Sequence, residues 1–235
     1  MTVADRYTML ISSLPAHAPL FSAKLTPLSR IRLEERLRML TLEDAAQLEL
    51  IQGALDWGRI SDAENDGEIY ELSRSTLQSL RSGFLREIVR DRLELRTLVA
   101  ALRRRRLGAA PPDTRERWGF GRWLTQIRRN WKDPTFQLEP IFPWASEANR
   151  LLQSGHWVEL ERLLLGYVWT DLGRRSEGHY FDLEAVVIYV LRWNLVARWT
   201  GYEAHVAGER FRELVAQAMD DRVARALNEQ IALLN

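Results

Sequence analysis

The most apolar stretch of the chain extends from Phe181 to Trp199, and Tyr189 carries the only polar side-chain group between positions 185 and 191. Short runs of β-branched and aromatic residues are typical of buried strands. This stretch is longer than the roughly 3–10 residues of a usual strand, and Asp182 is a good helix N-cap. We therefore predict a helix that other parts of the chain cover on most sides. Its four charged residues argue against a membrane span.

Apolar residues recur at helical spacing through most of the amino-terminal half. Helices are predicted at about 26–39, with Ile31 facing inward, and at about 41–57, before a polar loop at 61–68. A long helix is predicted near residues 69–107, which Gly83 bends or divides. Its apolar stripe comprises Leu77, Leu80, Phe84, Ile88, Leu95, Val99 and Leu102. The short apolar segment 7–15 is compatible with either a strand or a docked extended segment.

The carboxy-terminal half begins with a basic, aromatic segment. Asp113 or Thr114 is predicted to cap a helix that continues to Trp131, and residues 134–143 are expected to be irregular. Trp157 is expected to face inward, and Gly201 is expected to end the apolar helix. Further helices are predicted where helical spacing resumes, at about 144–152, 156–172 and 206–233.

These elements predict an all-α fold of two packed helical lobes, at residues 1–110 and 111–235. The Ala-Ala-Pro-Pro sequence at 109–112 is the expected linker. Eight of the nine tryptophans lie between Trp118 and Trp199, which indicates denser packing or a contact surface in the second lobe. A single continuous domain is the alternative.

The composition is ordinary for a globular protein of 235 residues, with 46% hydrophobic and 28% charged residues. The net charge of +1 gives no overall field that would attract nucleic acid or acidic lipid. The absence of cysteine excludes disulfides, thiolate zinc sites and a cysteine nucleophile. The amino terminus lacks the basic and apolar regions of a secretory signal, so we expect a cytoplasmic protein.

The sequence contains no phosphate-binding loop, dinucleotide glycine motif or serine-centred hydrolase turn. His17, His156, His179 and His205 are too scattered to form a local metal motif. We therefore predict no catalytic residue, metal ligand or cofactor site, and expect no small-molecule substrate. An enzyme of unfamiliar type is an alternative, which would require perturbed carboxylates or histidines that converge in a cleft.

The segment from Arg103 to Lys132 is the best candidate for a binding surface, because arginines alternate there with aromatic residues. The candidate partner-binding residues are Arg103, Arg104, Arg105, Arg106, Arg122, Arg128 and Arg129. Such a pattern is typical of nucleic-acid surfaces, but it also fits a protein-binding patch or a solvated helix face. The near-neutral net charge argues against nucleic acid, and Glu87, Asp91 and Glu94 are expected to neutralise part of the segment.

Four stretches of the chain carry a family resemblance. They are Tyr7–Pro15; Asp91–Gly108; Trp131–Trp144; and the stretch that begins at Tyr180-Phe181-Asp182 and includes Tyr189, Arg198-Trp199 and Gly208. Together they resemble a bacterial family of uncharacterised proteins whose genes commonly lie among those of V/A-type ATP synthases. The helical layout is also similar to the C subunit of these enzymes, called d in eukaryotes.

The C subunit is an all-α funnel between the rotor stalk and the membrane ring. The resemblance therefore implies a non-enzymatic structural, coupling or assembly component of an ion-transporting V/A-type ATP synthase. Its partners would be stalk or ring subunits, and it would reach the inner face of the plasma membrane only through the complex. A nucleic-acid-binding module that uses Arg103–Lys132 is the alternative.

Overall fold

The computed structural model describes residues 3–55, 66–113 and 116–202, and in these residues it contains nine α-helices and no strand. The helices are α1 (Val3–Ser13), α2 (Arg30–Leu37), α3 (Leu42–Leu55), α4 (Asp66–Ser79), α5 (Gly83–Arg106), α6 (Leu124–Arg129), α7 (Ala145–Ser154), α8 (Trp157–Arg175) and α9 (183–202). A 3-10 turn at Leu20–Ser22 lies between α1 and α2. The prediction of an all-α fold is confirmed. None of the helices in these ranges is long and apolar enough to cross a bilayer.

Helix α9 is the apolar stretch identified in the sequence, and its predicted N-cap is confirmed. The Oδ1 atom of Asp182 accepts a hydrogen bond from the backbone N–H of Ala185 at 2.8 Å. Four valines of this helix are completely buried, at positions 186, 187, 190 and 196. The predicted break at Gly201 is wrong, because the helix continues through residue 202. One glycine costs a helix only about 1 kcal/mol relative to alanine, and Tyr202 stacks on Trp199 across this turn.

The loop between α1 and α2 covers one side of α9 through side-chain bonds to backbone carbonyls. The indole N–H of Trp193 donates to the carbonyl of Leu28 at 2.9 Å, and the Tyr189 hydroxyl donates to the carbonyl of Pro15 at 2.9 Å. The Nε2 atom of His17 lies 3.2 Å from the carbonyl oxygen of Tyr189. These bonds satisfy polar groups that the covering loop would otherwise bury unpaired.

Helix α1 corrects the expectation that residues 7–15 are a strand or an extended segment. Tyr7, Leu10 and Leu14 are spaced three and four residues apart, which is the repeat of one helical face. Leu10 is completely buried, and the Tyr7 hydroxyl donates to Oδ2 of Asp44 on α3 at 2.8 Å. The closing proline at position 15 ends a helix as readily as it ends a strand.

The predicted long helix near residues 69–107 is wrong as a single element, because the chain is interrupted between α4 and α5. The side chain of Gln47 on α3 bridges the interruption: its Nε2 donates to the Ser79 carbonyl at 3.2 Å, and its Oε1 accepts from the Arg81 N–H at 2.9 Å. Ser82 then caps α5 by accepting a hydrogen bond from the N–H of Leu85 at 3.3 Å. Gly83 therefore marks a division of the helical pattern rather than a bend.

Two other predicted helices are shorter than expected. Helix α2 starts after Ser29, whose side chain accepts from the N–H of Arg32, and Ile31 faces solvent with 71% of its surface exposed. In the basic, aromatic segment only α6 is helical, while residues 116–123 are not. The predicted helix at 206–233 lies outside the described residues. Residues 134–143 are irregular, as predicted, and contain turns.

Most contacts join helices that are consecutive in the chain, and α5 also contacts the non-consecutive helices α3 and α7. Helix α3 contacts α4 and α5, α5 contacts α4 and α7, α7 contacts α8, and α1 contacts α2. The buried side chains on both sides of position 110 belong to one continuous hydrophobic core. The division into lobes at residues 110 and 111 stays a prediction.

The half-buried ring of His17 should make the protein less stable in acid. Burial, with a smaller effect of the nearby Arg192 guanidinium, lowers the pKa of His17 to about 4 from its usual 6.5. As pH falls from 6.5 toward 4, the unfolded chain binds a proton that the folded chain does not. Folding therefore loses free energy across this range, by about 1–2 kcal/mol at pH 5 for a ring that is partly exposed.

Urea unfolding at pH 7 and pH 5 measures this effect. His17→Phe keeps a ring against Tyr189 and Trp169 but cannot titrate, so its stability should fall less between the two pH values. His156→Phe, at an exposed histidine, is the control and should behave as the wild type does. Equal pH dependence in His17→Phe and the wild type would contradict this account.

Candidate functional site

A cluster of charged groups lies where helix α5 faces the non-helical segment 116–123. Glu87, Asp91 and Glu94 are spaced four and three residues apart, which places them on one face of α5. Arg122 and Trp123 approach this face from the segment. The expectation that these carboxylates neutralise part of the basic segment is confirmed by ion pairs from Arg122 to all three.

Glu94 is the centre of this arrangement, and only 3% of its surface is exposed. Its Oε1 accepts from the backbone N–H and from Nε of Arg122, both at 2.9 Å. Its Oε2 accepts from Nη2 of Arg122 at 3.0 Å and from the indole N–H of Trp123 at 2.9 Å. Four donors thus satisfy a buried carboxylate, which would otherwise be costly to remove from water.

Two glycines allow the segment to approach α5 closely. Gly121 has a φ of +116°, and a Cβ at this position would lie 2.2 Å from Cγ of Glu94. A Cβ at Gly119 would lie 2.6 Å from Cγ2 of Thr97. The Thr97 hydroxyl accepts from the N–H of Phe120 at 2.8 Å. The backbone at 119–121 therefore lies against α5 in a conformation that a helix could not adopt, which explains why the predicted helix does not form here.

A second set of ion pairs joins α5 to the end of α8. Asp91 accepts from Nη2 of Arg122 at 2.9 Å and from Arg175, whose Nε also donates to Asp171 at 2.8 Å. Burial raises the pKa of the Asp91 carboxyl, and the Arg175 and Arg122 guanidinium groups partly oppose that shift. The result is a chain of alternating charges from Glu94 to Asp171.

A cavity of about 150 Å³ lies beside this network, lined in part by Asp91, Glu94, Tyr167 and Arg175. Ligand pockets usually measure about 300–1,000 Å³. Carboxylates do converge here, as the enzyme hypothesis requires, but all four carboxylate oxygens of Asp91 and Glu94 accept hydrogen bonds from arginine or tryptophan. The arrangement suits a structural ion-pair network better than acid–base catalysis.

Three of the four consecutive arginines at the end of α5 lie over different aromatic rings. The Cζ atom of Arg104 lies 6.0 Å from the Trp118 ring centroid, that of Arg105 lies 5.0 Å from Phe136, and that of Arg106 lies 4.6 Å from Trp157. These distances are within the range of cation–π attraction. Trp157 is half exposed, so the expectation that it faces inward is wrong.

The seven candidate arginines do not form one surface. Arg104 pairs with Glu116 at 2.6 Å, Arg122 is held by Glu94, and Arg105 donates to the carbonyl oxygens of residues 133 and 134 and to Asn149. Arg128 is half-buried, and Arg103, Arg106, Arg122 and Arg129 are exposed. Binding of a partner by these residues stays a prediction.

Sequence reasoning missed one cluster, at the start of α9. His179, Asp182 and Glu184 place possible metal-ligating atoms within 4.8 Å of one another. Glu184 accepts from the Ser82 hydroxyl at 2.7 Å, and His179 bonds to Asp182 at 2.7 Å. Asp182 and Ser82 cap the N-termini of α9 and α5, where the helix dipoles are positive and disfavour a cation. The cluster therefore acts as a joint cap for two helices.

Comparison with protein families gives one match. A family described as "Protein of unknown function (DUF2764)" matches residues 66–222. The chain belongs to this family. The DUF2764 region includes helices α4 to α9 and so contains the whole Glu94 network and the arginine run. No curated protein and no solved structure matches the chain.

Substitution of Gly121 tests the close approach of the segment to α5. Gly121→Ala should lower the free energy of unfolding by about 2–4 kcal/mol, because the added Cβ displaces the Glu94 side chain. Gly178→Ala is the control: its φ is +89°, but nothing lies within 4 Å of the added Cβ. It should cost only the roughly 1–2 kcal/mol of a left-handed conformation. If urea unfolding shows the same loss of unfolding free energy for Gly121→Ala and Gly178→Ala, the proposed contact is contradicted.

Substitution of Glu94 tests the buried carboxylate itself. Glu94→Gln replaces one acceptor oxygen by an NH₂ group that faces the Arg122 donors, so we expect a loss of about 2–4 kcal/mol of stability. Glu87→Gln removes a half-exposed charge that lies 4.0 Å from Arg122 and also pairs with Arg90, and it should change stability by less than about 1 kcal/mol. Similar unfolding midpoints for Glu94→Gln and the wild type would show that this carboxylate does not hold the segment.

Proposed function

We propose that this protein is a non-catalytic structural, coupling or assembly component of a V/A-type ATP synthase, which binds stalk or ring subunits through its helical surfaces. The assignment to this enzyme depends on the resemblance of four stretches to a family encoded with V/A-type ATP synthases. Three of these stretches begin within the DUF2764 region, and the first forms α1. The similarity to the C subunit supports the same role.

The geometry supports a binding role through one observation in particular. The carboxylates of α5 bind the segment 116–123 and are not free. Arg103 and Arg106 at the end of the same helix are exposed, as is Trp157 at the start of α8. Charged groups that are fully hydrogen-bonded to one another make a rigid frame rather than a reactive centre. A rigid frame that presents exposed arginine and tryptophan is suited to protein recognition.

The proposed location is the cytoplasm, with contact to the inner face of the plasma membrane only through the complex. A role in nucleic-acid binding has weaker support. Arg104, Arg117 and Arg122 are each paired with a glutamate, which reduces the number of cations in the basic segment that can neutralise phosphates.

Affinity purification of the V/A-type ATP synthase from the source bacterium tests the proposal. A tag on a stalk subunit should recover this chain, either at a fixed ratio in the mature enzyme or only in assembly intermediates. Deletion of its gene should lower the yield of the assembled or coupled enzyme, and a plasmid copy should restore it. A different tagged membrane complex is the control. Absence of the chain from every fraction, with normal assembly and coupling after deletion, would contradict the proposal.

A further inference from the structure

The end of α5 and the beginning of α8 meet at one edge of the molecule. Arg105 joins the last turn of α5 to α7, because its Nη2 donates to Oδ1 of Asn149 at 2.7 Å. Gly155 then ends α7 in a left-handed conformation, with a φ of +75°, and Trp157 begins α8. This short turn places the indole of Trp157 under the guanidinium of Arg106, at 4.6 Å. The contact is therefore fixed by the packing of three helices.

This edge exposes apolar surface. Trp157 is 50% exposed, Val158 is 39% exposed, and Leu107, which follows Arg106 in the chain, is 82% exposed. Single exposed apolar residues are common on protein surfaces. Here three of them belong to two chain segments that the stacked Arg106–Trp157 pair holds together. We call Arg103, Arg106, Leu107, Trp157 and Val158 the α5–α8 corner.

The corner also carries positive charge that no carboxylate within residues 3–55, 66–113 and 116–202 neutralises. Arg103 and Arg106 are three residues apart and share one face of α5. Both are exposed, and neither forms an ion pair with a carboxylate of the described residues. Arg104, which points elsewhere, pairs with Glu116. Glu159 is two positions beyond Trp157 and therefore lies on a different side of α8.

We propose that the α5–α8 corner binds an acidic segment of a partner protein, in which carboxylates accept hydrogen bonds from Arg103 and Arg106 and an apolar side chain contacts Trp157. This inference rests on the proposed partner-binding role but not on the identity of the complex. The two exposed guanidinium groups favour an acidic partner, because guanidinium groups bind carboxylates in a bidentate manner. A guanidinium already stacked on an indole loses less freedom on binding than a free one.

A protein segment fits the corner better than nucleic acid or a lipid surface. Two arginines and one tryptophan are too few to follow a phosphate backbone, on which affinity depends on many neutralised phosphates. Leu107 and Val158 add aliphatic surface, which suits an apolar side chain and offers nothing to a base or phosphate. Arginine and tryptophan are also the residues that most often contribute large binding energies in protein interfaces.

Binding of a defined peptide to the full chain tests the inference. The probe is a fluorescein-labelled helical peptide built from Glu, Leu and Ala, and its control has every Glu replaced by Gln. The wild type should bind the acidic peptide and not the Gln peptide, and the affinity should fall as salt increases. Arg103→Gln/Arg106→Gln and Trp157→Ala should each weaken binding about tenfold or more, which corresponds to the loss of a contact at the centre of an interface.

Arg32→Gln/Arg74→Gln is the matched control, because it removes the same charge from two exposed arginines outside the basic segment and should leave the affinity unchanged. Thermal unfolding of each variant checks that the fold is intact. The inference is overturned if the wild type does not bind the acidic peptide, or if the corner variants bind as the wild type does. It is also overturned if single-stranded RNA or vesicles of anionic lipid bind the corner more tightly than the peptide.

These outcomes are separable from the test of the ATP synthase role. If the chain does not co-purify with the enzyme but the corner variants bind the acidic peptide more weakly than the wild type, the corner is a binding site and the proposed complex is wrong. If the chain co-purifies and the corner variants bind the peptide normally, the proposed role stands and the corner is not its binding surface.

Discussion

Helix α9 imposes the constraint on which the rest of the fold depends, because it is apolar on most sides and must be covered. Each fully buried large apolar side chain contributes about 1.5–3 kcal/mol to folding. Burial of that surface brings together three separate parts of the chain: the α1–α2 loop, helix α8 and the start of α5. The few polar groups of α9 are used at those contacts. Arg192 lies 3.8 Å from the Trp169 ring centroid, and Arg198 pairs with Glu161 at 2.6 Å.

Helix α5 imposes a second constraint, which is electrostatic. Its buried Glu94 needs donors, and the segment 116–123 supplies four of them from only two residues. The segment gains its structure from these tertiary bonds rather than from a periodic pattern of its own. Removal of the segment would leave the buried Glu94 charge without donors, and removal of Glu94 would leave the segment without its main acceptor, so the two depend on each other.

The sequence predicts those elements whose information is local. Helices α3, α7, α8 and α9 follow from apolar periodicity with recognisable caps or stops, such as Asp182 and Gly155. Helix α1 was also locally encoded, in the spacing of Tyr7, Leu10 and Leu14, but the apolar run concealed its period. The segment 116–123 was not locally encoded, because its conformation depends on Glu94, more than twenty positions away in the chain.

The same distinction applies to the candidate site. Composition alone identified the arginines of the segment 103–132, and the neutralising role of Asp91 and Glu94 followed from their proximity in sequence. Composition could not distinguish the arginines that form hydrogen bonds and ion pairs within the protein from those that face solvent. That separation requires the positions of Glu116, Asn149 and Trp157, which come from other parts of the chain. The exposed indole of Trp157 was missed for this reason, since helical periodicity placed it inward.

The two constraints together make the end of α5 a rigid support. The Glu94 network fixes one face of the helix to the segment and to α8, and Arg105 fixes its last turn to α7. An exposed pair such as Arg106 and Trp157 is then presented by a rigid support, so little ordering entropy opposes binding there. Both the network and the pair lie within the region shared with the DUF2764 family, whereas α1 to α3 precede it. A function common to the family should therefore be sought on helices α4 to α9, and the α5–α8 corner is one surface of the described residues there that combines charge, aromatic area and rigidity.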